Sequence, residues 1–298
     1  MDYIQLGNSA LYISRIGFGT MSLVGENPAS EGILLDALRG GINFFDTADM
    51  YQQGKLETLL GHVFRTRRDQ VILATKVGNQ WRADGSGWDW NPTKKYILSA
   101  IDQSLKRLQT DYVDLYQLHG GTLADPIDEV IETFEFLKKT GKIRYYGISS
   151  IRPSVIREYV NKSSLVSVMM QYSLLDRRPE EAILPLLLEK QVGVLTRGSL
   201  AKGLLVDKPP APFLNYNAQE VAKAAEAIAA VSGEPSSRAA TSIRFVLDHP
   251  AVSSAVIGIR TQDQLKEAIA TFGSSPWKKN QQEFLKNVID PNYYSEHR

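Results

Sequence analysis

Short apolar runs alternate with amphipathic stretches along the whole chain, and this alternation restricts the fold more than any other feature. The apolar runs are Ile16–Gly19, Ile42–Asp46, Val71–Lys76, Tyr112–His119, Arg144–Ser149, Val166–Gln171, Gly193–Thr196 and Ser254–Gly258. Helical patterns separate them, over Ser30–Arg39, Lys55–Arg65, Pro92–Leu108, Pro126–Lys139, Pro153–Val160, Pro179–Lys190 and Thr261–Thr271. Several carry proline in the first turn, and the first runs into a Gly40-Gly41 stop. Strands alternating with helices build βα units and a parallel sheet. Ala218–Val231 and Ser236–Leu247 read as an extra helical pair before the last strand, with further helix toward the C-terminus. Tyr3–Leu6 and Leu11–Ser14, around Gly7-Asn8, read as a β-hairpin able to plug a barrel floor. With no linker-like segment and no break in composition, the chain is expected to form one α/β unit over residues 1–298, a (β/α)8 TIM barrel. An open doubly wound sheet competes, but no Gly-x-Gly-x-x-Gly follows the first strand.

Barrel strands deliver their C-terminal ends to one mouth, where active sites lie. Asp46 ends the second run, Lys76 the third and His119 the fourth, while Tyr51 follows Asp46 in the loop. A phenol is a weak acid near neutrality, and a neighbouring ammonium stabilises the phenolate left when it gives up its proton. Asp, Tyr, Lys and His together therefore suggest a phenol set up as an acid. A barrel lyase using Lys76 as a Schiff-base nucleophile, or a metal, is the competing chemistry. No His/Glu cluster has ligand spacing, so no metal site is expected.

Charge and composition narrow the partners. Thirty-four basic against 33 acidic residues leave a net charge of +1, which offers no basic surface for nucleic acid or anionic lipid. No apolar run approaches a membrane span of about 20 residues. The sequence contains no cysteine, and its N-terminus lacks the pattern of a signal peptide. A cytoplasmic protein without membrane or nucleic-acid partners is expected; oligomeric state is not encoded in any legible way.

In order along the chain stand Gly17-Phe-Gly-Thr-Met, Asp46-Thr-Ala-Asp-Met-Tyr with Gly54 and Glu57, Thr75-Lys76-Val-Gly, and Ser104-Leu-Lys-Arg-Leu through Leu118-His119. Gly141-Lys-Ile-Arg-Tyr-Tyr-Gly-Ile-Ser149, Gln171, Leu200-Ala-Lys-Gly-Leu-Leu205 and Gly258-Ile-Arg-Thr-Gln-Asp-Gln-Leu265 follow. On these segments the whole chain resembles the aldo-keto reductase family, in particular its bacterial, general-stress-type branch. The resemblance implies reduction of aldehydes and ketones by hydride transfer from NADPH, with NADH the less favoured cofactor. It assigns the catalytic tetrad to Asp46, Tyr51, Lys76 and His119, with Tyr51 as proton donor and His119 orienting the small-molecule carbonyl substrate. A redox-sensing regulatory subunit, like the barrels that associate with potassium channels, is the alternative.

The resemblance also implies a cofactor path. Gly19, Thr20, Met21 and Asp46 border it. Ser149, Ser150 and Gln171 face the nicotinamide carboxamide, with Ser150 where asparagine is usual. Arg197 stands where many relatives stack a tyrosine, and a planar guanidinium can cover a ring face. Gly198, Ser199, Leu200, Ala201, Lys202 and Gly203 lie along the pyrophosphate, and Gly258, Arg260, Gln264 and Glu267 along the adenosine. Arg260 near a helix start suits a 2′-phosphate. The loop after Lys76 holds Trp81, Trp88 and Trp90, three of the four tryptophans. Trp81 and Trp88 are expected to wall a substrate site with Met21, Tyr51 and His119. The family's vertebrate members carry a long pocket-capping C-terminal segment that has no counterpart here, which implies an open mouth.

Overall fold

Inward and outward side chains alternate along each strand, and this decides how the chain closes. In the computed structural model, residues 1–25, 27–232, 238–272 and 279–298 are described. β1 (Tyr3–Gln5) and β2 (Tyr12–Ser14) pair antiparallel as the N-terminal hairpin. β3 (Ile16–Gly19), β4 (Phe44–Asp46) and β5 (Ile72–Val77) follow. A second antiparallel hairpin, β6 (Asn79–Trp81) with β7 (Trp88–Trp90), precedes β8 (Val113–Leu118), β9 (Ile143–Ser149), β10 (Ser167–Gln171), β11 (Gly193–Arg197) and β12 (Val252–Gly258). β3–β5 and β8–β12 form a closed parallel barrel in sequence order, with β12 returning to β3 through Gly258 opposite Gly19. The expected (β/α)8 barrel is therefore the fold.

The barrel helices are α1 (Pro28–Arg39), α2 (Lys55–Phe64), α3 (Lys94–Leu108), α4 (Ile127–Lys139), α5 (Pro153–Lys162) and α6 (Ile183–Glu189). They are joined by α7 (Ala218–Ser232), α8 (Arg238–Leu247), α9 (Gln262–Ala270) and α10 (Lys279–Asn287). Helix starts move where a better cap lies nearby. α1 begins before Ser30, because Asn27 Oδ1 accepts from the Ala29 amide and Pro28 fills the first turn. α3 begins after Pro92, at the Thr93 cap. Arg178–Glu181 form a separate 3₁₀ turn ahead of α6. In the expected helix Ser236–Leu247, Ser236 and Ser237 lie outside the described residues.

Phe45, Val168, Val194 and Ile257 face the helices, whereas Phe44, Ala74, Leu115, Met169, Leu195 and Val256 form a layer inside the barrel. The hairpin completes that inner layer from below with buried Leu6, Leu11 and Ile13, so the floor is plugged as the sequence suggested. Gly7 permits this approach. Its φ is +50°, and a Cβ there would stand 2.3 Å from the Val166 carbonyl oxygen. Two residues on from the inner layer, the next inward positions are Asp46, Lys76, Gln117, Gln171, Arg197 and Gly258. Strand periodicity thus carries the chain from core to site in one step.

Candidate active site

Asp46 and Lys76 leave adjacent strands on the inner face and meet as a buried ion pair. Lys76 Nζ donates to Asp46 Oδ2 at 2.6 Å and to the Thr47 carbonyl at 2.7 Å. Burial lowers the ammonium, but the Asp46 carboxylate, with Tyr51 next, outweighs it and holds Lys76 above its ordinary value. Gln117 Nε2 adds a 3.2 Å bond to Asp46 Oδ1, and Thr20 Oγ1 donates to the Asp46 carbonyl at 3.1 Å. Lys76 also faces Tyr51, whose ring centroid lies 5.2 Å from Nζ. The imidazole of His119 meets the same ring edge-on, centroids 5.8 Å apart. All four residues of the expected tetrad are therefore in one cluster. Burial first, then Lys76 and Arg197, push His119 down to about 3, so the imidazole is neutral across the physiological range. Its Nδ1 is buried and has no hydrogen-bond partner among the described residues.

Tyr51 opens a short 3₁₀ turn (Tyr51–Gly54) in which Gln52 and Gln53 hold φ values of 48° and 55°. Two left-handed non-glycine residues in succession store strain, which surrounding contacts must hold in place. The Gln52 side chain does so, accepting from the Gly25 amide at 3.0 Å and donating to the Leu23 carbonyl at 2.6 Å. Gly54 follows because a Cβ there would fall 2.5 Å from Arg107 Nε. That guanidinium is aimed past it at buried Glu57, which also accepts from Thr75 Oγ1 at 2.6 Å. Glu57 thereby ties α2 to α3 and β5.

Above the cluster lies a cavity of about 850 Å³, lined by Tyr51, Lys76, His119, Gln171 and Arg197 among others. Met21, Ser149, Ser150, Gly19, Gly198, Lys202 and Gly258 also border it. Thr20, Ser199, Leu200, Ala201 and Gly203 stand behind or beside this wall; Thr196 and Ser199 hydroxyls lie 3.3 Å apart. Arg260 just before α9, and Gln264 and Glu267 within it, lie outside the cavity wall. There Gln264 Oε1 accepts from the Arg260 amide at 2.9 Å, and Thr261 caps the helix. Trp81 and Trp88 are not in the cavity wall. The Trp81 indole donates to the Met50 carbonyl at 2.9 Å, holding the Tyr51 loop from behind, and Trp88 is exposed on β7. Trp90 packs against Gly78 and Gly120 and donates to Asp125.

Several contributors carry no sequence signal. Gln117 is visible only once Leu115 is known to point inward. The C-terminal residues Tyr294–His297 form one side of the cavity, so the mouth is less open than the resemblance implied. They are tied down by the Arg178 guanidinium over the Tyr294 ring at 4.9 Å, by the Ser154 amide donating to the His297 carbonyl at 2.8 Å, and by an Arg298–Glu181 ion pair.

The cavity fits a nicotinamide dinucleotide in its donor set. Arg197 borders it, sensing the Asp176 and Asp46 carboxylates at a distance but making no ion pair with a carboxylate among the described residues. Gly198, at φ +72°, would bring a Cβ no closer than 3.7 Å to the Gln171 side chain, leaving open space beside the backbone. Gln171, Ser149 and Ser150 offer amide and hydroxyl groups on the same wall. The volume lies in the range of small-molecule sites, roughly 300–1,000 Å³.

Comparison with known proteins agrees with this geometry. The model of the aldo/keto reductase family matches residues 15–289. An uncharacterized oxidoreductase of Bacillus subtilis, YqkF, is 46% identical, over 99% of this chain and 98% of its own length. The NADH-specific methylglyoxal reductase of Escherichia coli is 34% identical over 69% of each chain. The holo form of aldo-keto reductase AKR11C1 from Bacillus halodurans superposes with a TM-score of 0.95 at 44% identity, covering 100% of this chain and 99% of that one. By sequence, fold and site, the chain belongs to the aldo/keto reductase family, oxidoreductases that act on carbonyl groups with a nicotinamide cofactor.

Proposed function

We propose that the protein reduces aldehydes or ketones to alcohols with NADPH, and that Tyr51 is the general acid. The observation that carries this reading is the buried Asp46–Lys76 pair presented to the Tyr51 ring at the floor of the cavity. When bound, the nicotinamide supplies a hydride to the carbonyl carbon. Tyr51 gives its proton to the carbonyl oxygen, and the adjacent Lys76 ammonium stabilises the phenolate left behind. Asp46 keeps that ammonium charged and aimed. A neutral His119 donates a hydrogen bond to the same oxygen as negative charge develops, orienting the carbonyl without competing as the acid. Met21 and the cavity wall around Tyr51 and His119 hold the organic part of the substrate, and Trp81 supports that wall indirectly by bracing the Tyr51 loop.

Ser149, Ser150 and Gln171 would hold the carboxamide, Arg197 would cover the ring, and the Gly198–Gly203 segment with Lys202 would run along the pyrophosphate. Gly258, Arg260, Gln264 and Glu267 would frame the adenosine. NADPH is preferred over NADH because Arg260 precedes the capped N-terminus of α9, an arrangement suited to a phosphate monoester. A relative that is NADH-specific keeps the other choice open to measurement. No feature of the site favours the regulatory-subunit reading. The test is a titration of both dinucleotides followed by a panel of carbonyl substrates monitored by loss of NADPH absorbance. NADPH binding with carbonyl-dependent oxidation is expected; cofactor binding without turnover on any aldehyde, ketone or quinone would remove the reading.

A further inference from the structure

Behind the Tyr51 loop lies a buried acid that the mechanism above does not use. Asp49 is 8% exposed, and among the described residues its Oδ1 has no hydrogen-bond partner. Its amide donates to the Lys76 carbonyl at 3.2 Å, so it is fixed to the strand end that carries the ammonium. The Tyr96 hydroxyl, on α3, lies 3.1 Å from Asp49 Oδ2 and 3.4 Å from the Asn79 carbonyl. A phenol has one proton and cannot donate to both acceptors at once. With a carboxylate at Asp49, one of the two contacts is left without a hydrogen. With a neutral acid at Asp49, the acid donates to the Tyr96 oxygen and the Tyr96 proton goes to Asn79. Asn79 Nδ2 in turn donates to the His119 carbonyl at 3.2 Å. The chain Asp49–Tyr96–Asn79–His119 therefore joins the segment before Tyr51 to the strand end that bears the imidazole.

We propose that Asp49 is a positioning residue for carbonyl reduction: as a neutral acid it completes this relay and braces the Tyr51 loop against His119. The inference rests on the reading of Tyr51 as proton donor. The surroundings support a proton there. Burial first, and then the Glu57 carboxylate of α2, raise Asp49 to about 7, against the Tyr96 hydrogen bond and Arg107 of α3. Among the described residues, Tyr116 of β8 is the other titratable group facing this cluster, and its buried hydroxyl also lacks a partner there. Glu57 is paired with Arg107 and bonded by Thr75, which leaves Asp49 as the acid of this cluster with no ion-pair partner among the described residues.

The test compares turnover at pH 6 and pH 8 with saturating cofactor, and follows the Asp49 carboxyl directly by carbon-13 NMR. The wild type should lose about threefold to tenfold in turnover over this range beyond what Asp49→Asn loses, since a loosened donor pair is misplaced for reaction. Asp49→Asn carries a permanent donor to Tyr96, so its activity should hold at pH 8. Tyr96→Phe, which breaks the relay in the middle, should be flat as well, but low already at pH 6. Neither variant should change NADPH affinity by more than about twofold. The carboxyl resonance should titrate near neutrality. A midpoint in the ordinary carboxylate range, near 4, or superimposable profiles for wild type and both variants, would overturn the brace. Should Asp49→Asn not fold, Tyr96→Phe and the resonance decide it. Tyr51→Phe is run in parallel: full activity there removes the donor reading and the inference with it. An inactive Tyr51→Phe with identical wild-type and Asp49→Asn profiles removes the brace alone.

Discussion

At the scale of single residues, the site works by placing charges that cannot leave. Lys76 and Asp46 are both buried, and removing either partner of such a pair costs about 3–5 kcal/mol because the other charge is stranded. His119 is the opposite case, a group kept uncharged by burial beside an ammonium. Its value in the folded protein, about 3, lies below the ordinary 6.5, so the native state binds fewer protons than the unfolded chain between those values. Stability should therefore fall as pH drops from about 6.5 toward about 3, and His119→Asn should lose part of that slope. Urea unfolding of both proteins across this range measures it; identical slopes would mean that His119 is not held neutral by the fold. In kinetics, the proposed mechanism has His119 orient the carbonyl, so His119→Ala should lower turnover more than cofactor affinity; an equal loss of NADPH affinity would place it elsewhere. Arg260 makes the complementary prediction. Charge-assisted hydrogen bonds contribute about 1.5–3 kcal/mol, so Arg260→Ala should weaken NADPH by roughly ten- to a hundredfold and leave NADH nearly unchanged. Dissociation constants for both dinucleotides at fixed salt decide it, and parallel losses would show that Arg260 does not read the phosphate.

At the scale of elements, strand ends are legible and the loops between them are not. Asp46, Lys76 and His119 are readable because each terminates an apolar run, and period-2 alternation then fixes which way the run faces. Gln117 lies on the same inner face but inside a run, where nothing in its own neighbourhood marks it as different from a core position. The tryptophan-rich loop shows how composition can locate an element without orienting its side chains. Trp81 turns to hydrogen-bond Met50, and Trp90 fills the space left by two glycines. The C-terminal residues that close one side of the cavity have no periodicity, and their place depends on contacts from Arg178, Ser154 and Glu181, remote in sequence. The Tyr51 turn stores strain in its two successive left-handed residues, and the Gln52 side chain is its restraint. Gln52→Ala should therefore depress turnover several-fold while leaving the thermal midpoint within a few degrees. Measured together, a large stability loss without a kinetic effect would assign Gln52 to the scaffold alone.

At the scale of the whole molecule, one periodicity serves both stability and chemistry. The interior layer formed by Phe44, Ala74, Leu115, Met169, Leu195 and Val256 supports the site two residues above it, and the hairpin seals it below. Leu6 is fully buried in that seal, so Leu6→Ala should cost about 2–5 kcal/mol in urea unfolding while leaving the distant mouth and its cofactor affinity intact. In the proposed mechanism, the role of the buried Asp46–Lys76 pair is to make Tyr51 a proton donor for carbonyl reduction. It is tested most directly by Tyr51→Phe, which keeps the ring and removes only the hydroxyl. NADPH affinity should be retained and turnover on the best carbonyl substrate should fall by at least about 10²-fold. Turnover near that of the wild type, with the cofactor bound, would contradict the assignment.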